Sequence, residues 1–321
     1  MSDVPQRPDR LDTPRRPDRL GALGRPDRLG SHERPDRLDT PARPDRLDVS
    51  RATPDDWAVV RGWAAQEGWN PGLADGPSFF AQDPDGFFLG RLDGEPVSAV
   101  SVVTYDDRYA FLGFYLVRPD LRGRGHGLAT WTAGLEHAGG RTVGLDGVVA
   151  QQGNYRRSGF ELAHRTARFT GIPAGAARVP APGIVPVGGD LAPLHAYDSA
   201  CYPADRPRFL ETWLTTEGHT ALARVVDGRL VGYGVLRPGR DMPRIGPLFA
   251  DTADDARALF DALVPADGPV CIDVPLSNPD AVALAEARGL TPGFETARMY
   301  TGPVRSFAES RVFGVTTLEL G

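Results

Sequence analysis

The amino-acid sequence predicts an α/β protein, a mixed sheet flanked by helices, folded as two similar lobes behind a repetitive leading segment. Three observations predict it. Apolar strands alternate with helical periodicities, and between Phe111 and His137 a strand runs through a glycine-rich turn into a helix. Signatures of the first half return in the second: Thr166-Ala167-Arg168-Phe169-Thr170-Gly171 is echoed by Thr296-Ala297-Arg298-Met299-Tyr300-Thr301-Gly302. Finally, Arg-Pro-Asp-Arg-Leu recurs from residues 7, 16, 25, 34 and 43 with a nine-residue period.

Residues 1–50 carry these repeats and are expected to be disordered. Their charges nearly cancel, one Pro per repeat breaks helices, and one Leu per repeat cannot build a core. The unit is too short for the common solenoids, and so exact a period reads as expansion of a repeated DNA segment or a start assigned too early.

A first domain is expected over residues 51–171. Thr53, Pro54 and Asp56 have the form of an N-cap, a first-turn proline and a capping-box acid, with Trp57, Val60 and Ala64 as an apolar stripe. That helix ends at Gly68, and Trp69-Asn70-Pro71-Gly72 follows as a loop. Phe87–Leu92, the turn Asp93-Gly94 and Val97–Tyr105 read as a hairpin, with Tyr109–Val117 as a third antiparallel strand. Leu128, Trp131 and Leu135 mark the next helix, and Val143-Gly144-Leu145-Asp146 is a short strand expected parallel to the one before the turn.

The turn itself carries chemistry. Gly123, Gly125 and Gly127 remove three β-carbons, so backbone N–H groups can converge at a helix N-terminus and bind phosphate oxygens. A P-loop needs a Lys after its last Gly, and the chain contains no Lys. A dinucleotide fingerprint needs a small residue where Leu128 stands, although Asp146 is a suitable acid about 20 residues on.

The remaining pattern, Arg122-x-x-Gly125-x-Gly127 after Leu116-Val117-Arg118-Pro119, resembles the acetyl-CoA pyrophosphate loop of the GNAT (GCN5-related) N-acetyltransferases. A second signature, Asn154-Tyr155-Arg156-Arg157-Ser158-Gly159-Phe160, resembles the short helix on which these enzymes carry a Tyr four residues before a Gly-Phe pair. The resemblance implies acetyl-CoA as cosubstrate. It implies that Leu116 and Val117 offer backbone groups to the pantetheine arm, that Gly123, Gly125 and Gly127 contact the pyrophosphate, and that Arg122 and Arg124 flank it, with solvent as the alternative direction for Arg124. Tyr155 would protonate the leaving thiolate. Asn154 would hold the pantetheine or cap the helix. His126, His164, His195 and His219 fall in no motif and read as structural, His126 counting among the coenzyme contacts only through its position inside the loop.

The family pattern puts a Glu on the strand before the loop as general base, but Phe111–Val117 holds no acid. The alternatives are Asp146, expected to be exposed where two parallel strands splay; Glu67, in the loop where acceptors enter; or a water chain. Trp69 stands in that same loop, as a substrate contact or as cover for the core edge.

Residues 172–190 are rich in Pro and Gly and read as a linker, and residues 191–321 as a second, degenerate copy. Leu145-Asp146-Gly147 returns there as Ile272-Asp273-Val274. After Ile245–Phe249, however, the glycine loop is replaced by Ala250-Asp251-Thr252-Ala253-Asp254-Asp255, whose acids would repel a pyrophosphate. The two-lobe pattern over residues 51 to 302 is similar to a bacterial tandem GNAT group with an active first lobe. The second lobe would wall the acceptor pocket, with Asp198, Cys201 or Arg206 toward the substrate, or stabilise a pseudo-dimer. The segment from Val312 to Leu320 is expected to add an edge strand.

Composition narrows the partners. Across 321 residues the net charge is −6, which argues against nucleic acid, and 41% hydrophobic residues suffice for real cores. Two cysteines far apart form neither a disulfide framework nor a metal site. No apolar run approaches the ~18 residues of a membrane helix. The expectation is a cytoplasmic N-acetyltransferase, monomeric or homodimeric, without metal, acting by direct attack on a small-molecule or peptide amine; the alternative is an acyl-CoA sensor or scaffold.

Overall fold

The computed structural model describes residues 47–175 and 180–321; the repeats through residue 46, and residues 176–179 of the expected linker, lie outside them. A short strand, β1 (Asp48–Arg51), leads into the capping box anticipated at Thr53. The Asp56 N–H donates to Thr53 Oγ1 at 3.2 Å and the Thr53 N–H to Asp56 Oδ2 at 3.0 Å. Helix α1 (Trp57–Gln66) follows and buries Trp57, Val60 and Ala64. A second helix, α2 (Gly76–Gln82), precedes the antiparallel strands β2 (Phe87–Leu92), β3 (Glu95–Thr104) and β4 (Tyr109–Val117). Asp93 and Gly94 turn the first hairpin with φ of 49° and 87°, the left-handed pair such tight turns require.

Helix α3 (His126–Ala138) crosses over to β5 (Thr142–Val148), which pairs parallel with β4 from Tyr109↔Thr142 to Leu112↔Leu145. Beyond Leu112 the two strands part. Phe114 there takes φ of +47° at an irregularity in the β3–β4 register, which bends β4 away. The buried face of α3 is Gly127, Thr130, Trp131, Gly134 and Ala138 rather than the Leu128–Trp131–Leu135 stripe expected from periodicity. Gly134 lies against Val100 and Val102, where even a Cβ would come within 2.9 Å, so close approach to the sheet selects small residues and turns Leu128 outward. Helix α4 (Gln152–Arg157) and β6 (Glu161–Gly171) complete this half.

The second half repeats the plan: β7 (Ile184–Pro186), α5 (Ala192–Cys201), α6 (Pro207–Trp213), β8 (Thr220–Val226), β9 (Arg229–Arg237), β10 (Arg244–Ala250), α7 (Ala253–Leu263), β11 (Val270–Pro275), α8 (Pro279–Ala287) and β12 (Thr291–Tyr300). The strands join in one sheet in the order β1-β2-β3-β4-β5-β12-β6-β11-β10-β9-β8-β7. The last strands of the two lobes are therefore exchanged: β12 completes the first lobe beside β5, and β6 completes the second beside β11. The two echoing segments are these exchanged strands, which pair with each other through Thr166↔Thr296.

Exchange carries charge with it. Arg298 on β12 reaches Asp146 on β5 with Nε–Oδ1 of 3.0 Å and Nη2–Oδ2 of 2.7 Å, and Arg168 on β6 reaches Asp273 on β11 with 2.7 and 3.1 Å. All four side chains are buried, so each lobe donates the arginine that neutralises the other's aspartate.

A final strand, β13 (Val312–Gly314), does not extend an edge. Strands β10 and β11 separate after Ile245↔Ile272, and β13 pairs antiparallel with Leu248 and Phe249 inside that gap. The buried chain then runs to the first lobe, where Tyr105 and Tyr202 donate to the Leu320 carbonyl at 2.6 and 3.1 Å. The Glu319 carbonyl rests on Gly113 of β4, where a Cβ would come within 1.8 Å of that oxygen.

Candidate active site

A cleft of about 460 Å3 opens where β4 and β5 part. One end is the turn before α3. Gly123 and Gly125 adopt φ of 79° and 87°, and the N-cap of α3 is Gly125, with no side chain capping the first turn and no acid in it. The N–H groups of that turn thus keep their capacity for an anion, assisted by the helix dipole. At Gly127 a Cβ would stand 2.6 Å from the Tyr115 hydroxyl and 2.7 Å from a Val117 methyl, so a larger residue would have to displace both side chains. Leu116 and Val117 line the adjoining wall, and Arg122, Gly123, Gly125, His126 and Gly127 the end.

Two residues named as coenzyme contacts do not line the cleft. Arg124 is exposed and outside the cleft lining. Asn154 sits inside α4, not at its N-cap, and its side chain bonds Gln151 and Arg157; Gln151 lines the cleft instead. Arg122 donates to the Val117 carbonyl at 3.1 Å and pairs with Glu67, tying the loop after α1 to the glycine turn.

Tyr155 lines the cleft from α4. Its ring stacks on Trp131 at 5.7 Å, and burial pushes its phenol up to about 12, so it holds its proton across the neutral range. Asp146 also borders the cleft, but the exposure expected of it is not found. Its side chain is fully buried and both carboxylate oxygens are held by Arg298. Burial raises this carboxyl while the guanidinium opposes the shift, and its side chain is sealed from solvent in a bidentate ion pair with Arg298.

Trp69, expected in the loop after α1, lines the other end together with residues the sequence argument did not assign to the site: Arg168, Phe294 and Thr296 from the exchanged strands, and Leu318 and Glu319 from the segment after β13. The echoing Arg168 and Arg298 were the available signal, but an echo reveals duplication and leaves exchange unmarked. Asp198, Cys201 and Arg206 do not face the cleft. Arg206 holds Asp198 at 2.9 and 2.8 Å, Tyr233 donates to the same carboxylate, and all are buried, Cys201 and Tyr233 within an apolar core to which both lobes contribute.

Comparison with known proteins agrees with this geometry. Residues 51–160 match the Acetyltransferase (GNAT) family and residues 194–314 the Acetyltransferase (GNAT) domain. Over 276 residues the chain is 35% identical to holothin acyltransferase of Pseudoalteromonas sp. (strain SANK 73390), covering 84% of this chain and 93% of that protein. The chain belongs to the GNAT acyltransferase family. Among solved structures this GNAT chain resembles one from Pyrococcus horikoshii, with a TM-score of 0.73 at 22% identity, covering 91% of this chain and 100% of that one. It also resembles a tandem GNAT protein from the clavulanic acid biosynthesis pathway, with a TM-score of 0.57 at 18% identity, covering 80% and 99%. GNAT enzymes take their acyl group from an acyl-CoA, and the uncapped glycine turn beside an open strand gap fits such a ligand. Among the described residues no His, Cys, Asp and Glu cluster has the arrangement of a metal site, and no helix is long and apolar enough to cross a membrane.

Proposed function

We propose that the first lobe binds acetyl-CoA and transfers its acetyl group to a primary amine of a small molecule. The observation that carries this reading is the combination of an uncapped α3 N-terminus with a gap between β4 and β5 that no segment of the described chain fills. In this reading Gly123, Gly125 and Gly127 donate backbone N–H groups to the pyrophosphate. Leu116 and Val117 pair with the amide-rich pantetheine arm as an added strand would, and one of their N–H groups stabilises the tetrahedral oxyanion. Arg122 supplies positive charge beside the phosphates, at the expense of its pairing with Glu67.

The chemistry is direct attack. A C–N bond forms, the thioester C–S bond breaks, and Tyr155 gives its phenolic proton to the departing thiolate. Tyr155 recovers that proton through water, and the nitrogen of the adduct releases one. Covalent catalysis by cysteine is disfavoured: Cys201 and Cys271 are buried in the second lobe, and burial pushes Cys201 up to about 12. Likeness to a holothin acyltransferase supports a small acceptor, with holothin itself the first to try.

Calorimetric titration of acetyl-CoA, followed by thiol release with holothin, tests the reading. One coenzyme site, lost in Gly125→Glu, is expected. Absence of binding at millimolar coenzyme would overturn it.

A further inference from the structure

Acyl transfer needs a second proton-handling group besides Tyr155. An amine nitrogen that bonds to the acyl carbon must shed a proton, and β4 carries no acid between Phe111 and Val117 to receive it. The path of the coenzyme says where such a group has to stand. With the pyrophosphate at the glycine turn, the arm runs back along β4 past Val117 and Leu116, so its acyl end is directed to the point where β4 and β5 part. The last pair there is Leu112↔Leu145, and Gly113 is the first residue of β4 beyond it.

Glu319 is brought to Gly113 by the segment after β13. A Cβ at Gly113 would lie 1.8 Å from the Glu319 carbonyl oxygen and 3.2 Å from its Cα, so the main chain of Glu319 takes the space that a side chain of β4 would have used. Contacts on both sides fix it there. Arg237 Nη2 donates to the Thr316 carbonyl at 3.2 Å, the Leu320 N–H donates to Thr317 Oγ1 at 2.8 Å, and Tyr105 and Tyr202 hold the Leu320 carbonyl.

The Glu319 side chain is 5% exposed and borders the cleft, and its two oxygens differ. Oε1 accepts from Arg244 Nη1 at 3.2 Å, and Arg244 is itself fixed by Asp273 at 2.8 Å and by the Asn70 carbonyl at 2.6 Å. Oε2 is buried without a hydrogen-bond partner. A buried carboxylate oxygen left unpaired is costly, and it is retained where a reacting group completes it. The other carboxylates of the lining are placed less well. Asp146 has both oxygens on Arg298. Glu67 is freed when the phosphates take Arg122, but it is partly exposed to water, and Arg122 meets it from the Val117 carbonyl, on the glycine-turn side of Leu116.

Resting on the acyltransferase reading above, we propose that Glu319 is the general base of acetyl transfer, its Oε2 receiving the proton that the attacking nitrogen sheds, directly or through one water. The nitrogen lone pair forms the C–N bond, the C–S electron pair leaves with sulfur, Tyr155 protonates that sulfur, and Glu319 takes the proton from nitrogen. Glu319 then gives a proton to water and Tyr155 regains one, so both residues end the cycle as they began. Acid and base come from opposite ends of the folded chain, α4 of the first lobe and the segment after β13.

The test uses the full chain with acetyl-CoA and two acceptors, holothin and hydroxylamine, the second small enough to reach any point of the cleft. Glu319→Gln keeps an oxygen for Arg244 and removes the base, so kcat for thiol release is expected to fall about 100-fold with acetyl-CoA affinity and melting temperature nearly unchanged. Glu319→Ala opens room for a small carboxylate, and formate is expected to raise its rate about tenfold while doing nothing for Glu319→Gln. A merely structural role predicts no such rescue. Glu319→Gln turning over at the wild-type rate, or formate rescuing Glu67→Ala in place of Glu319→Ala, overturns the proposal. So does a wild-type protein that binds acetyl-CoA and releases thiol to neither acceptor. Failure of acetyl-CoA itself to bind would instead sink the acyltransferase reading, a separate and earlier result.

Discussion

The two lobes meet the same structural problem with opposite solutions. Each contains two parallel strands that part after a short pairing, followed by a helix whose N-terminus faces the gap. In the first lobe the gap between β4 and β5 is open and α3 begins with glycines and no cap. In the second, β13 occupies the gap between β10 and β11, and α7 is capped by Thr252, whose hydroxyl accepts from the Asp255 N–H at 3.2 Å, with Asp254 and Asp255 in its first turn. Nearby Asp251 is held by Tyr197 and Arg311. On the reading proposed above, the ligand-binding gap is a strand position left vacant together with a helix end left uncapped, and the second lobe has both filled.

The comparison breaks most readily at the glycine turn. Gly125→Glu forces a side chain into φ of 87° and sets an acid against the phosphates, so acetyl-CoA affinity should fall by at least about 100-fold in calorimetry. Asp254→Gly with Asp255→Gly should create no second site, because β13 still fills the gap; a stoichiometry of two would refute the account of the second lobe.

The buried ion pairs come next, and they are unequal. Asp146 has Arg298 alone, whereas Asp273 is met by Arg168 and also by Arg244 at 2.8 Å, which together hold its carboxyl well below the usual carboxylate range. Arg298→Ala leaves a buried carboxylate unpaired and should cost about 3–5 kcal/mol in denaturant unfolding. Arg168→Ala, with Arg244 remaining, should cost clearly less. Equal losses would mean that the second arginine contributes nothing. Tyr155→Phe should lower kcat by about 100-fold with unchanged coenzyme affinity and little change in melting temperature.

How much of this was legible in the sequence follows from the range of the interactions involved. The capping box at Thr53, the Asp93-Gly94 turn and the Gly123–Gly127 loop are local, and each was read from adjacent residues. Leu128 misled because periodicity marks apolar residues, while the close contact of Gly134 with Val100 selects small ones. Asp146 misled because its partner, Arg298, lies on an exchanged strand 152 residues away. The acceptor end was legible only in part. Glu67 and Trp69 were read from the loop after α1, while the residues of β6, β12 and the segment after β13 reach the cleft from distant parts of the chain.

Smaller effects sharpen the picture further. Gly113→Ala should displace the Glu319 carbonyl and destabilise the protein by about 1–3 kcal/mol, while Gly62→Ala, with no atom near the added carbon, should be neutral or better. His164 is neutral in its buried setting, its imidazole pushed down to about 3, whereas the unfolded chain protonates near 6.5. Stability is therefore retained above pH 6.5 and lost as pH falls toward 3, at up to about 1.4 kcal/mol per pH unit from this group. His164→Gln should flatten that slope in urea melts at pH 6.5 and 5.5; an unchanged slope would show that another group controls it.

The exchanged strands also set a timetable for biosynthesis. Strand β5 cannot acquire its neighbour β12 until residue 300 has left the ribosome, so the first lobe emerges with an unpaired edge and with Asp146 awaiting its counter-ion. Through most of translation the half that carries the glycine turn therefore lacks a strand, and a chain cut short before β12 would keep Asp146 without its arginine.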